Sequence, residues 1–217
     1  MKKINNNFWK NKKVLITGHT GFKGRWLTIT LKALGSKVFG ISLNEKNNFE
    51  KKEYINFLTK KNSFFLDIKK RKIVEKVILK INPEIIIHMA AQSKVIDGYH
   101  NPIETFETNI MGTINILNAS VKLKGLKTVL VVTTDKVYKN NEKKIKFSEN
   151  DKLGGDDPYS ASKAAAETVI ASYRQSWNQQ WQEDQAVKRF SVAPTAIASV
   201  RAGNVIGGGG FADFRIL

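Results

Sequence analysis

Residues 14–24 read Val14-Leu15-Ile16-Thr17-Gly18-His19-Thr20-Gly21-Phe22-Lys23-Gly24. A short apolar run leads directly into three glycines spaced GxxGxxG, and a helical pattern follows from about Arg25 to Leu34, stopped by Gly35. Alone, such a triplet also serves as a tight structural turn. Between a strand and a helix it suits a pyrophosphate. Glycine permits the turn, its missing side chain admits phosphate oxygens, and the helix N-terminus offers free N–H groups and a positive dipole end. The stretch predicts the first βα unit of a doubly wound sheet, with Gly18, Thr20, Gly21, Phe22 and Gly24 as cofactor-binding candidates.

On either side of this stretch, apolar runs alternate with amphipathic ones, the pattern of a parallel α/β sheet. Further strands are predicted at Lys37–Leu43, Phe64–Leu66, Glu84–His88, Thr128–Thr133 and Ala196–Val200. Helices are predicted over Lys69–Lys80, with Ile73, Val77 and Ile81 in register, and from Asn101-Pro102 to about Lys124. A third runs from Asp157-Pro158 to about Trp177. Both Asx-Pro pairs read as a cap followed by proline at the first helical position. Asn44–Lys61 is polar and ambiguous, and the Gln-rich Asn178–Pro194 reads as a loop. The expected fold class is α/β, a Rossmann-like doubly wound parallel sheet over residues 1–200. Residues 201–217 are expected to begin a substrate-binding region.

The 217 residues, 41% of them hydrophobic, suffice for one sizeable core. No apolar run reaches the roughly 18 residues of a membrane span, and the polar N-terminus does not resemble a signal peptide. With no cysteine there is neither a disulfide framework nor a Cys-based zinc site. A cytoplasmic protein with no membrane partner and no metal site is expected. The net charge of +17 suits an anionic partner. Its lysines are spread over Met1–Lys152 without a dense block, so no nucleic-acid footprint is expected.

Tyr159 and Lys163 form YxxxK at the start of a predicted helix, one turn apart on one face. A free phenol has a pKa of about 10, and a neighbouring ammonium together with the charge of an oxidised nicotinamide favours the phenolate, giving a base usable near neutral pH. Thr134 ends strand five, at the sheet edge where open α/β sheets hold ligands. The acid that usually binds a ribose after strand two is missing. Ser42 and Asn44 stand there, while Arg25 and Lys46 could meet a 2′-phosphate, so residues alone leave NAD or NADP open. Asp67 and Ile68 are candidates for the adenine edge, although Asp67 also fits a helix cap. His88 is read as a core histidine rather than a catalyst.

Together these residues resemble the extended short-chain dehydrogenase/reductases that act on nucleotide sugars, and within them the CDP-glucose 4,6-dehydratases. The matching strings are GHTGFKG (Gly18–Gly24), HMAAQS (His88–Ser93) and ETFETNIMGT (Glu104–Thr113), then TTDKVY (Thr133–Tyr138), LGGDDPYSASKAAAE (Leu153–Glu167) and SVRAGNVIGGG (Ser199–Gly209). Lys136 is the most telling residue, because related dTDP-glucose dehydratases usually carry glutamate there.

The resemblance implies NAD as cofactor and an intramolecular redox cycle that turns CDP-glucose into CDP-4-keto-6-deoxyglucose, as in deoxysugar biosynthesis. Thr134, Asp135, Lys136, Tyr159 and Lys163 would be catalytic. Asp135 would protonate the departing C6 hydroxyl, and Lys136 would be the C5 base or a charged stabiliser. Ala90, Ala91 and Gln92 would line the cofactor, together with Tyr159 and Lys163. Ser93, Asn109, Thr134 and Asn204 would meet substrate, Asn109 also propping the active-site lysine. A homodimer is implied, built on the two long helices through Ile110, Ile114, Leu117, Ala164, Ala165 and Val169. Family members are usually longer, so most of the substrate domain is expected to be missing from this chain. A 4-epimerase or reductase of the same superfamily, or a non-catalytic dinucleotide-binding chain, are the alternatives.

Overall fold

The computed structural model describes residues 6–43, 58–139, 146–176 and 195–206. After a helical turn at Asn6–Trp9 come β1 (Lys13–Thr17), α1 (Phe22–Ala33), β2 (Lys37–Ser42) and β3 (Ser63–Phe65). Next are α2 (Arg71–Ile81), β4 (Ile85–His88), α3 (Val95–His100) and α4 (Pro102–Phe106). A π-helical turn (Glu107–Met111) leads into α5 (Gly112–Ser120), followed by β5 (Thr128–Thr134) and a 3₁₀ turn (Asp135–Val137). The described elements close with α6 (Pro158–Ser176) and β6 (Ala196–Ala202).

The six strands lie in the order β3-β2-β1-β4-β5-β6, and every pairing is parallel. The strands alternate faces, so one sheet serves two cores. Leu15, Ile41, Ile86 and Val129 pack with Val74, Ile78, Ile116 and Ile170 from the helices on one side. Val14, Ile16, Val38, Ile85 and Ile87 pack with Leu31 on the other. The strand order reverses between β1 and β4, which opens a crevice at the C-terminal strand ends.

The predicted helix over Lys69–Lys80 is present, one to two residues later, but its buried stripe differs. Val74, Ile78 and Ile81 face the sheet, whereas Ile73 is exposed and Val77 only partly covered. Both stripes have helical spacing, and the direction in which the sheet approaches chooses between them. The long helix predicted from Asn101 is instead α4, a π-helical turn and α5, preceded by α3, which the pattern did not announce. Asn101 makes no side-chain cap; its carbonyl takes the Thr105 N–H and hydroxyl. Asp157 behaves as expected, its carboxylate accepting the Ser160 N–H at 3.0 Å and hydroxyl at 2.5 Å. Helix α1 begins at Phe22 rather than Arg25, because the loop's Gly21 carbonyl already accepts the Arg25 N–H at 2.9 Å. The loop predicted at Asn178–Pro194 lies outside the described residues, as do Asn44 and Lys46.

Candidate active site

The phosphate loop is built around backbone contacts that exclude side chains. Gly18 has φ +77, and a Cβ there would sit 2.9 Å from the Ala90 nitrogen. A Cβ on Gly24 would come 2.0 Å from the Gly18 carbonyl, so α1 closes directly on the loop. Gly21 differs: its missing Cβ would meet only the Gly18 oxygen, at 3.3 Å, and the position otherwise borders open space. The N-terminus of α1 has no side-chain cap, which leaves its amides for a ligand.

A cavity of about 280 Å³ lies over this loop. Gly18, Thr20, Gly21, Phe22 and Gly24 border it, with Asp67, Ile68, Ala90, Ala91 and Ser93. Ser93, expected on the substrate side, therefore opens onto the cofactor cradle. Gln92 is not among the lining residues. Its backbone N–H and carbonyl bond Asn109, and its Oε1 is buried without a partner among the described residues. Lys23, Ser42, Leu43, Leu66, Met89, Glu104 and Thr108 complete the lining. Lys23 was within the quoted motif, but nothing in local sequence announces Glu104 and Thr108, which the chain's crossover brings to the cavity. Backbone cradle, helix end, carboxylate and apolar walls fit a dinucleotide.

Of the ribose set, Ser42 and Arg25 lie within the described residues. Ser42 Oγ accepts the Thr20 N–H at 3.2 Å and lies 3.0 Å from His19 Nδ1. Arg25 is buried. Asp67 lines the cavity, and its carboxylate accepts the Lys69 N–H at 2.8 Å in the turn before α2; it is not the helix cap expected from the sequence, since Lys70 stands at that position and makes no side-chain cap bond.

Behind the loop runs a buried chain of hydrogen bonds. Thr17 Oγ1 accepts the N–H groups of Met89 and Ala90, each at 3.1 Å, so its own proton goes to His88 Nδ1 at 2.6 Å. Nε2 of His88 then carries the ring proton and donates to Thr113 Oγ1 at 3.1 Å, and Thr113 donates to the Asn109 carbonyl at 2.7 Å. Burial, with the Lys163 charge second, lowers the His88 pKa to about 3. It is a neutral core histidine, as the sequence predicts.

Asn109 is a correction. It is buried, and its amide takes the Gln92 N–H at 2.9 Å while donating to the Gln92 carbonyl at 3.0 Å and Ser162 Oγ at 2.8 Å. Ser162 in turn donates to the Tyr159 carbonyl at 2.7 Å. Asn109 thus holds the strand-four loop to α6 from inside and offers nothing to a substrate.

Tyr159 and Lys163 are both buried on α6. Lys163 Nζ donates to the Val132 carbonyl at 3.2 Å, and burial followed by the charge of Lys23 lowers its pKa to about 8. The Tyr159 pKa is raised, chiefly by burial, then by the charges of Asp135 and Asp157, while a hydrogen bond with Thr134 pulls the other way. Lys163 is not among the groups that act on the phenol. In this arrangement the desolvation of the phenolate outweighs its stabilisation, and the ammonium sits on a backbone carbonyl.

Thr134 is buried beside Tyr159; its hydroxyl donates to Asp135 at 3.1 Å. Asp135 and Lys136 are exposed at the rim of a second cavity of about 460 Å³, walled by Tyr138, Phe147, Gly154, Gly155 and Ser160. Asn204 is exposed just past β6, next to Gly203, whose missing Cβ would lie 3.4 Å from Asp135 Oδ2. The catalytic candidates therefore gather at the C-terminal strand ends; Asp135 and Lys136 line the second cavity, while Thr134, Tyr159 and Lys163 are among the lining residues of neither. No group of three potential metal-ligating side chains occurs among the described residues. None of their helices is long and apolar enough to cross a membrane.

The sequence profile of the family described as GDP-mannose 4,6 dehydratase matches residues 15–183. A CDP-glucose 4,6-dehydratase of Salmonella typhimurium is 40% identical over 99% of this chain and 58% of its own length. A dTDP-D-glucose 4,6-dehydratase of Dictyostelium discoideum is 33% identical over 76% of this chain and 41% of that protein. Among solved structures, Thermus thermophilus UDP-glucose 4-epimerase in complex with NAD superposes with a TM-score of 0.65. It is 28% identical over 75% of this chain and 51% of that one. The chain thus spans between 41% and 58% of the length of these relatives.

Proposed function

The chain belongs to the GDP-mannose 4,6-dehydratase family, and from that membership we propose that the protein is an NAD-dependent nucleotide-sugar 4,6-dehydratase acting on CDP-glucose. The observation that carries this is the Asp135–Lys136 pair at the rim of the second cavity, directly after Thr134 and beside Tyr159. An epimerase or reductase needs the tyrosine and lysine but not that pair. CDP rather than another nucleotide is favoured by the TDK motif and by the 40% identity over nearly the whole chain. A cytoplasmic location belongs to the same reading.

Bound NAD⁺ would supply a hydride acceptor that becomes the donor later in the same turnover. Gly18, Gly21 and the α1 N-terminus would hold its pyrophosphate, with Asp67 and Ile68 at the adenine end. Thr134 Oγ1 orients the sugar 4-hydroxyl, and Tyr159 Oη takes its proton. Burial raises the Tyr159 pKa, and positive charge added nearby would act in the opposite sense and favour the phenolate as base. The C4 ketone acidifies C5–H; Lys136 takes that proton as the base, or it stabilises the C4 enolate formed when solvent takes the proton. Asp135 donates a proton to the C6 hydroxyl as water leaves across C5–C6, and the resulting double bond then takes back a hydride at C6 and a proton at C5. The balance is CDP-glucose to CDP-4-keto-6-deoxyglucose plus water.

The division of labour is testable in the full-length protein. Lys136→Ala should still oxidise C4, seen as NADH absorbance, while exchanging C5–H with solvent slower by about two orders of magnitude or more. Asp135→Asn should keep the exchange and slow the loss of water. Wild-type exchange and elimination in both variants would return the pair to a structural role and favour the epimerase or reductase.

The homodimer is part of this proposal, with one change of surface. Leu117 and Ala164 are buried inside the protomer, whereas Ile103, Phe106 and Met111 are exposed on α4 and the π-helical turn. Ile96 and Tyr99 on α3 are exposed as well.

A further inference from the structure

Glu167 and Arg201 fall within the matching sequence strings, yet the proposed chemistry uses neither. Glu167 lies one turn beyond Lys163 and two beyond Tyr159, on the same helix. Its carboxylate is buried and fully engaged. Oε1 accepts the Thr133 hydroxyl at 2.5 Å, and Oε2 accepts the Ser199 hydroxyl at 2.8 Å and Arg201 Nη2 at 3.0 Å. One side chain of α6 thereby ties together β5 and β6.

Arg201 carries the tie outward. Nη1 donates to the Tyr138 hydroxyl at 2.9 Å and to the Glu149 carbonyl at 3.2 Å, and the guanidinium carbon lies 4.9 Å from the Tyr138 ring centroid. Tyr138 stacks on Phe147 with centroids 4.8 Å apart and planes 5° apart. Both rings wall the cavity at whose rim Asp135 and Lys136 stand. The planar, forked guanidinium suits this duty, since it makes directed bonds to a carboxylate and a phenol at once. Lysine would offer a point charge and lose one of the two.

We infer that Arg201 is a positioning residue for the sugar: anchored by Glu167 on the helix that bears Tyr159 and Lys163, it sets the Tyr138–Phe147 stack as the wall of the cavity lined by Asp135 and Lys136. This rests on the proposed dehydratase function for the identity of the ligand, but the clamp itself does not. Arg201 touches no reacting atom. It fixes the distance between the aromatic wall and the acid and lysine side chains, so its loss weakens ground-state and transition-state binding alike. An interaction of that kind is expressed in KM and leaves kcat nearly untouched.

The test uses the full-length protein and the variants Arg201→Met, Arg201→Lys, Tyr138→Phe and the Met/Phe double variant. Arg201→Met should raise the KM for CDP-glucose by about tenfold while changing kcat and NAD affinity by less than about threefold. Arg201→Lys should recover part of that loss. Tyr138→Phe keeps the stack but loses the hydroxyl, and the double variant should be no worse than Arg201→Met alone, the non-additivity of two groups acting as a unit. Additive effects, an unchanged KM, or equal losses in KM, kcat, NAD affinity and thermal stability would overturn the inference. A substrate-free measurement separates it from the functional reading. Hydrogen exchange in Arg201→Met should accelerate within residues 146–157 and stay unchanged across residues 13–34. Unchanged exchange in 146–157 overturns the clamp whatever the substrate. If exchange accelerates but the wild type turns over a different nucleotide sugar, the clamp stands and the CDP-glucose assignment falls.

Discussion

His88 shows how far one residue's surroundings can be read and then measured. Its apolar flanks in EIIIH predict a core position, and the structure buries it between Thr17 and Thr113. What flanking residues could not supply was the tautomer, which depends on bonds from residues 71 places before it and 25 after. The folded pKa of about 3 lies below the ordinary 6.5. Below pH 6.5 the unfolded chain therefore takes up a proton that the folded chain refuses, and stability falls as pH drops toward 3. The slope attributable to this residue is about 1.4 kcal/mol per pH unit. His88→Gln can keep one acceptor and one donor without titrating. Urea midpoints between pH 6.5 and about 5 should fall more steeply in the wild type than in the variant. Parallel midpoints would mean that His88 is not buried neutral. Tyr159 was legible as a residue but not as an environment, because YxxxK spacing cannot report a lysine turned onto the Val132 carbonyl.

Among the elements, all six strands of the described sheet were legible in the sequence, and their ends moved by no more than two residues. Helices were less so wherever both faces are apolar. In α2 the residues Ile73, Val74, Val77 and Ile78 support two stripes, and only the neighbouring sheet decides. The π-helical turn at Glu107–Met111 left no composition signal. The buried Asn109, bonded to Gln92 and Ser162, sits within it, and Thr113 donates to the Asn109 carbonyl. That turn belongs to the outward face holding Ile103, Phe106 and Met111. Sedimentation equilibrium at micromolar concentration should give the mass of two full-length chains, and Ile103→Glu with Phe106→Glu should shift it to one. A single-chain mass in the wild type would remove the dimer and leave that apolar face without its occupant.

At the scale of the whole molecule, the strand order β3-β2-β1-β4-β5-β6 brings the glycine loop, Thr134, Asp135, Lys136, Tyr159 and Lys163 to one edge, although Gly18 and Lys163 lie 145 positions apart. Their order along the chain was enough to suggest the chemistry. The contacts that join them, Glu167 to Arg201 and Asn109 to Ser162, follow from the crossovers alone. The central claim is an internal redox cycle that ends in elimination. It is tested most directly by giving the full-length protein CDP-glucose in D₂O and recording the product's mass, its C5 deuterium content and the net NADH. The account predicts a product lighter by one water, aside from the deuterium it carries at C5, with no net accumulation of NADH. A product of unchanged composition with hydrogen retained at C5, as from epimerisation, would contradict it.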